Sequence, residues 1–127
     1  MISVEYPGYS FYRGNPSEKQ ILEDAETVLN FVHNVLEVPY NNIMIMGRSL
    51  GGGAATYLAS RYRVRLLILI SAFGSLKEVV KDNFGKFGSM FVKEGFDNAN
   101  RIKEVKSHTL IIHGAKDDVV KVHQAEI

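Results

Sequence analysis

The chain lacks cysteine and has no long apolar run. Without cysteine, neither a disulfide framework nor thiolate catalysis or thiolate metal ligation is available. No window reaches the roughly 18 apolar residues of a membrane-spanning helix, and the first residues lack the basic start and apolar region of a secretory signal. We therefore expect a soluble, cytoplasmic protein without a transmembrane segment.

The sequence also lacks a run of residues with like charge. The 15 lysines and arginines balance 14 aspartates and glutamates, so the formal net charge is +1, and no run of like charges occurs. This pattern provides no basic patch for nucleic acid or for an anionic membrane surface. The sequence therefore favours a small or neutral partner and predicts no binding of nucleic acid.

The 127 residues suit one domain, and β-prone runs alternate with helical patterns along it. The β-prone runs are Ile2–Tyr6, Asn42–Gly47, Val64–Ile70 and His108–Gly114. The helical patterns follow Ser17, run from Leu50 to about Tyr62 and from Leu76 to about Val92, and run from Asn98 to Val105. This order predicts an α/β domain over residues 1–127, with a mostly parallel sheet between two helical layers.

The first helix and the later strands carry distinct apolar patterns. Ser17 is a predicted N-cap, and the helix after it has an apolar stripe at Ile21, Ala25, Val28, Val32 and Val35. The runs "VRLLILI" and "HTLIIHG" have almost no polar alternation, as expected for strands covered on both faces. Ligands of parallel sheets bind at the carboxyl ends of the strands, where Ser49, the loop after Ile70 and Asp117 are predicted to lie.

Ser49 lies between Gly47 and Gly51 in a G-x-S-x-G pattern, at a predicted turn from strand to helix. Such a turn exposes the serine hydroxyl, and the two glycines allow its arms to approach closely. The following helix would direct the Leu50 amide and its positive dipole end at a developing oxyanion. The alternative is a phosphate-binding turn in which Ser49 only caps the helix, although the lysine of a P-loop is absent.

A second candidate group is the aspartate pair in "LIIHGAKDDVV", which follows the last predicted strand. At that edge of the sheet one aspartate could hold an imidazole in its productive tautomer, and we favour Asp117 over Asp118. The alternative is a solvated acid pair, or a cap on a helix near Val119.

Four stretches carry a family resemblance, in the family's order. They are "VEYPGYSFYRGNPSE", "IMIMGRSLGGGAA", "ISAFGSL" and "TLIIHGAKDDVV". The chain resembles the α/β-hydrolase superfamily, nearest to the small serine hydrolases that include protein depalmitoylases. The resemblance implies that Ser49 is the nucleophile, Leu50 an oxyanion-hole amide and Asp117 the triad acid. It implies neither a metal nor an organic cofactor.

The chain departs from the family pattern at two places, which implies an incomplete core without the first strands and the last strand. The family's catalytic histidine and its H-G oxyanion loop match nothing here. His113 matches a structural histidine, and His123, six residues beyond Asp117, does not match the catalytic one. The resemblance implies an ester or thioester hydrolase that forms an acyl-enzyme on Ser49 but is catalytically incomplete. The alternative is a non-catalytic fragment or pseudoenzyme that serves as an interaction module.

The resemblance also bears on partners. The substrate would be a small molecule or an acylated molecule. The family's strand between "ISVEY" and "NIMIM" is absent, so these two strands would either pair directly or leave edges for another chain. We therefore expect a rearranged sheet, or a homodimer or exchanged oligomer that completes it.

Overall fold

The computed structural model describes residues 1–89 and 95–126, and its centre is a three-stranded parallel sheet. The strands are β1 (Met44–Arg48), β2 (Leu66–Ile70) and β3 (His108–Ile112), in that spatial order. Arg48, Ile70 and Ile112 are register partners at the last position of each strand. The carboxyl ends therefore form one common edge, and the predicted α/β class with a parallel sheet is confirmed.

Within residues 1–89 and 95–126, four helices accompany the strands: α1 (Glu18–Asn34), α2 (Gly51–Arg61), α3 (Leu76–Ser89) and α4 (Asn98–Arg101). The short 3₁₀ turns are Tyr40–Asn42, Ile102–Glu104 and Val122–Ala125. Each helix in the described ranges is too short or too polar to cross a bilayer.

Helix α1 begins as the sequence predicts. The Ser17 hydroxyl accepts a hydrogen bond from the Gln20 amide at 3.2 Å, which caps the helix. Its buried side consists of Ile21, Leu22, Ala25 and Leu29, so the apolar face is rotated from the predicted stripe. Val35 in particular lies beyond the helix end and is 63% exposed, because α1 stops at Asn34.

Helix α2 is central to the packing. One apolar cluster joins it to α1 through Leu58, Leu22 and Leu29, and a second joins its Ala55 and Ala59 to Leu67 of the sheet. Small residues allow this close approach: an ideal Cβ on Gly53 would come within 2.8 Å of the Phe96 ring carbons Cε1 and Cγ. The position of α2, and with it the turn that precedes it, is therefore fixed from two sides.

Two further predictions concern the segment between β2 and β3. Helix α3 begins at Leu76 as expected and is interrupted at Gly85, whose φ of 72° is not helical. The predicted continuation over residues 90–92 lies outside the described residues. The predicted helix from Asn98 to Val105 is confirmed as α4 followed by the 3₁₀ turn Ile102–Glu104.

The prediction of a strand at Ile2–Tyr6 is wrong. These residues have no regular secondary structure, and most of them are exposed. A strand is stabilised by hydrogen bonds to a neighbour, and no described strand lies beyond β1 for this segment to pair with. Direct pairing of the two segments therefore does not occur within this chain, and the homodimer or exchanged oligomer stays a prediction.

The expectation that the runs "VRLLILI" and "HTLIIHG" are covered on both faces is wrong for the second run, which forms β3, whereas β2 has one buried and one half-buried face. On one face Met44, Met46, Leu110 and Ile112 are 62%, 61%, 47% and 48% exposed. Strand β3 is exposed along its whole length, because it is an edge strand and α2 contacts only β1 and β2 extensively. The apolar composition of the strands suits burial, but the described residues cover one face of β1 and β2 and neither face of β3.

The exposed face generates a test of self-association. If a second copy covers it, Met46→Lys should weaken the association at least about tenfold, because a buried lysine would lack a partner. Size-exclusion chromatography with light scattering over a concentration series measures this. Val35→Lys, an equally exposed position on the α1 side, is the control and should leave association unchanged. A wild-type chain that stays monomeric at every concentration contradicts the oligomer prediction.

Candidate active site

The site begins at the turn between β1 and α2. Ser49 has a φ of +49°, which is unusual for a residue other than glycine. Its amide donates to the Ile70 carbonyl at 3.0 Å, and its own carbonyl accepts from the Gly52 amide at 2.9 Å. Ser49 is exposed rather than buried. These bonds therefore hold a serine at the sheet edge in a backbone conformation that costs on the order of 1–3 kcal/mol.

Of the two glycines that flank Ser49, one is required for this turn on steric grounds. An ideal Cβ on Gly47 would lie 2.6 Å from the Gly51 carbonyl carbon and 2.7 Å from the Ala55 Cβ. A Cβ on Gly51 would lie 3.5 Å from the hydroxyl of Tyr6. Gly47 is therefore required by the crossing of strand and helix, whereas the space at Gly51 is only moderately restricted.

An amide donor lies next to Ser49. The Leu50 N–H donates to no acceptor in the part of the chain that the structure describes. It belongs to the turn that opens α2, an 11-residue helix, so the positive end of the helix dipole is at the same place. An unpaired N–H beside a hydroxyl nucleophile is the arrangement that an oxyanion requires.

Asp117 lies in the loop that follows β3, at the same edge of the sheet. Its Oδ1 accepts hydrogen bonds from the amides of Val120 at 2.9 Å and Val119 at 3.0 Å. These two bonds are the main cause of a lowered pKa of Asp117, with smaller contributions from Ser71 and His113 against the opposing effect of burial. The carboxylate is therefore ionised at neutral pH. No helix begins at Val119, so Asp117 does not cap a helix as the alternative required; its Oδ1 instead closes a turn within its own loop.

The histidines near this loop have other partners. The nearly buried His113 side chain contacts the Val120 carbonyl oxygen through Nε2 at 2.7 Å, and Nε2 lies 3.9 Å from Asp117 Oδ2. His123 Nε2 lies 3.0 Å from Asp82 Oδ2 on α3. Among the described residues, no hydrogen bond links either imidazole to Ser49. His113 is therefore a structural group at the strand end, and His123 belongs to a separate pair.

Sequence reasoning overlooked Ser71. It is the first residue after β2, it has a φ of +46°, and its amide donates to the Ile112 carbonyl at 2.9 Å. The available signal was its position, because the loop after Ile70 was already predicted to lie at the edge that carries Ser49.

A groove of about 290 Å³ adjoins the Leu50 side of the turn. Most of its wall is apolar, and the polar exceptions are Ser17 and Glu18. Glu18 is engaged by Arg101 in an ion pair of 2.9 Å. The apolar lining of the groove consists of Tyr9, Pro16, Ile21, Leu50, Leu76 and Phe96.

Comparison with known proteins places this geometry in a family. Residues 15–126 match the family described as "Uncharacterised protein family (UPF0227)". Alpha/beta hydrolase domain-containing protein 17C of Xenopus tropicalis is 32% identical over 120 residues, which are 94% of this chain and 38% of that protein. The human protein 17B is 30% identical and is covered to 41%. The chain thus spans about two fifths of the length of these curated relatives.

Solved structures give the same fold. An alpha-beta hydrolase from Vibrio vulnificus superposes with a TM-score of 0.72 and 26% identity, over 85% of this chain and 43% of that one. The esterase domain of a Rhodothermus marinus protein superposes with a TM-score of 0.62 and 18% identity, over 83% of this chain and 50% of that one, which shows the fold alone.

The named relatives and the solved structure from Vibrio vulnificus support the α/β-hydrolase assignment. The chain belongs to the UPF0227 family, within the α/β-hydrolase superfamily.

Proposed function

We propose that this chain is a serine hydrolase that cleaves an ester or thioester through an acyl-enzyme on Ser49. The observation that carries the proposal is the backbone of Ser49, which is held at φ +49° on an exposed turn beside the Leu50 amide, for which the described residues provide no acceptor. A strained conformation that persists at a sheet edge is typical of a functional position. The esterase domain named among the structural neighbours has the same fold.

In the proposed reaction, Ser49 Oγ attacks the acyl carbonyl carbon while its proton passes to a base. The negative charge that develops on the carbonyl oxygen would be stabilised by the Leu50 N–H. The alcohol or thiol leaves with a proton, and water then releases the acyl group from Ser49. Asp117, ionised and fixed through Oδ1, would orient an imidazole base and stabilise its protonated form.

The described residues do not supply the general base that would accept the proton of Ser49. His113 and His123 have partners of their own, and the resemblance assigns the catalytic histidine to a segment that this sequence does not match. Loss of one triad member leaves a residual acceleration of about 10³–10⁴-fold over water from the oxyanion hole and binding. We therefore propose a site with a competent nucleophile and acid but low intrinsic rate.

The groove beside Leu50 suggests the kind of acyl group. Its volume of about 290 Å³ and its mainly apolar wall suit an aliphatic chain better than a charged group. Each methylene that leaves water contributes about 0.8 kcal/mol, so a longer chain would bind more tightly than acetyl. The proposed substrates are therefore small or acylated molecules that carry an aliphatic acyl group.

A second candidate function is a non-catalytic interaction module. It is favoured by the absence of a histidine contact to Ser49 among the described residues and by the exposed apolar face of the sheet. A phosphate site at the start of α2 is a third candidate, and it requires the amides rather than the serine hydroxyl.

Covalent labelling by a fluorophosphonate separates these candidates. In buffer that contains imidazole as an external base, we expect modification of Ser49 and complete loss of the modification in Ser49→Ala, measured by intact and peptide mass spectrometry. Ser60→Ala is the matched control, because its hydroxyl only contacts the Tyr57 carbonyl on α2. An unlabelled wild-type chain supports the interaction module, and phosphate binding that survives Ser49→Ala supports the phosphate site.

Chain-length preference tests the groove. We compare the rates at which a long-chain and a short-chain alkyl fluorophosphonate label Ser49. The ratio of the long-chain rate to the short-chain rate should fall about tenfold in Leu76→Trp, because the indole would fill space that the alkyl chain occupies. Phe84→Trp, on the same helix but outside the groove and 76% exposed, is the control. Equal ratios in wild type and Leu76→Trp would show that the groove does not hold the acyl group.

A further inference from the structure

We propose that the interior cavity between α2 and α4 binds one water molecule, which is held by the Thr56 hydroxyl and the side-chain carbonyl oxygen of Asn98. The site is separate from the proposed hydrolase site and does not depend on it. It accounts for two buried polar atoms that have no hydrogen-bond partner within residues 1–89 and 95–126.

The cavity lies beside the loop that follows β2 and has a volume of about 20 Å³. A single water molecule needs roughly 10–15 Å³ of such space, so one water fits and a larger ligand does not. Among the described residues that line the cavity, none is ionisable, and the polar ones are Thr56, Asn98 and Gln124. The chemistry of the wall therefore suits a small neutral molecule that can both donate and accept hydrogen bonds.

Thr56 lies inside α2 and is completely buried, with an exposed fraction of 0%. A threonine within a helix often donates to the carbonyl one turn earlier, as Thr27 of α1 does to Glu23 at 2.8 Å. Thr56 Oγ1 makes no such bond and has no other partner in the described chain. Because buried hydroxyls in proteins are normally satisfied by protein or by ordered water, this one requires a partner from the cavity.

Asn98 is the first residue of α4, and 3% of its surface is exposed. Its Nδ2 donates to the Phe73 carbonyl at 2.9 Å, which fixes the orientation of the amide. The other end of the amide, Oδ1, is buried and has no donor among the described residues. An amide oxygen only accepts hydrogen bonds, so its partner must donate, as a water molecule does.

The third polar residue of the wall is already engaged at both ends of its amide. Gln124 Oε1 accepts from the Gly74 amide at 3.1 Å, and its Nε2 donates to Asp82 Oδ2 at 2.8 Å. Thr56 and Asn98 are thus the two polar groups left to hold a water, which is the minimum that a buried water needs. The water would link α2 to α4 and, through the bond from Asn98 to Phe73, to the loop after β2.

A high-resolution crystal structure and solution NMR of the full chain test this site. The crystal structure should show a density peak about 2.8 Å from both Thr56 Oγ1 and Asn98 Oδ1. In solution, the buried methyl groups of Leu69 and Ala72, which line the cavity, should show cross-relaxation with a long-lived water.

Thr56→Val removes the hydroxyl with little change in side-chain shape, so both the density peak and the cross-relaxation should be lost. Thr56→Ser retains the hydroxyl and should keep both signals. Thr27→Val is the matched control, because it makes the same exchange at an exposed position of α1 and should leave the cavity water unchanged.

A wild-type chain that shows neither the density peak nor the cross-relaxation overturns the proposal, and this result does not depend on the folding of any variant. Signals that persist unchanged in Thr56→Val overturn it as well, because the hydroxyl would then not hold the water. Loss of the signals in Thr56→Val, with retention in Thr56→Ser and Thr27→Val, supports the proposed water site.

Discussion

The close crossing of Gly47 and Gly51 is the constraint on which the rest of this molecule depends. A side chain at Gly47 would collide with the first turn of α2, so the strand and the helix can meet only without it. That contact sets the direction in which α2 leaves the sheet and bends the chain sharply at Ser49. The exposed hydroxyl, the unpaired Leu50 amide and the helix dipole are consequences of this one approach.

The second organising feature is the parallel register of the strands. Because Arg48, Ile70 and Ile112 pair in order, the residues that follow them share one edge, and Ser49, Ser71 and Asp117 all come from those loops. The core that supports this edge lies on one side of the sheet, around α2 and α1. The opposite face of the sheet, which includes Met44, Met46 and Leu110, is apolar and exposed. An exposed apolar face of this kind is typical of a surface that binds another protein segment.

Local signals predicted well wherever the responsible contacts are themselves local. The cap at Ser17 and the turn at Ser49 each depend on a few neighbouring residues, and each is present. Predictions that depend on distant partners did worse. Residues 2–6 have β propensity, but no strand of the described chain lies beside them, and β3 is apolar but exposed.

The stability of a Gly47→Ala variant tests the central claim most directly. We expect urea unfolding to show a loss of at least about 3 kcal/mol in the free energy of unfolding, because the new methyl group would overlap backbone and Ala55 atoms that have little freedom to move. Gly114→Ala, whose nearest neighbour would be 3.8 Å away, is the matched control and should be close to wild type. A Gly47→Ala chain as stable as the control would contradict the account, because the crossing at Gly51 could then not be what shapes the turn at Ser49.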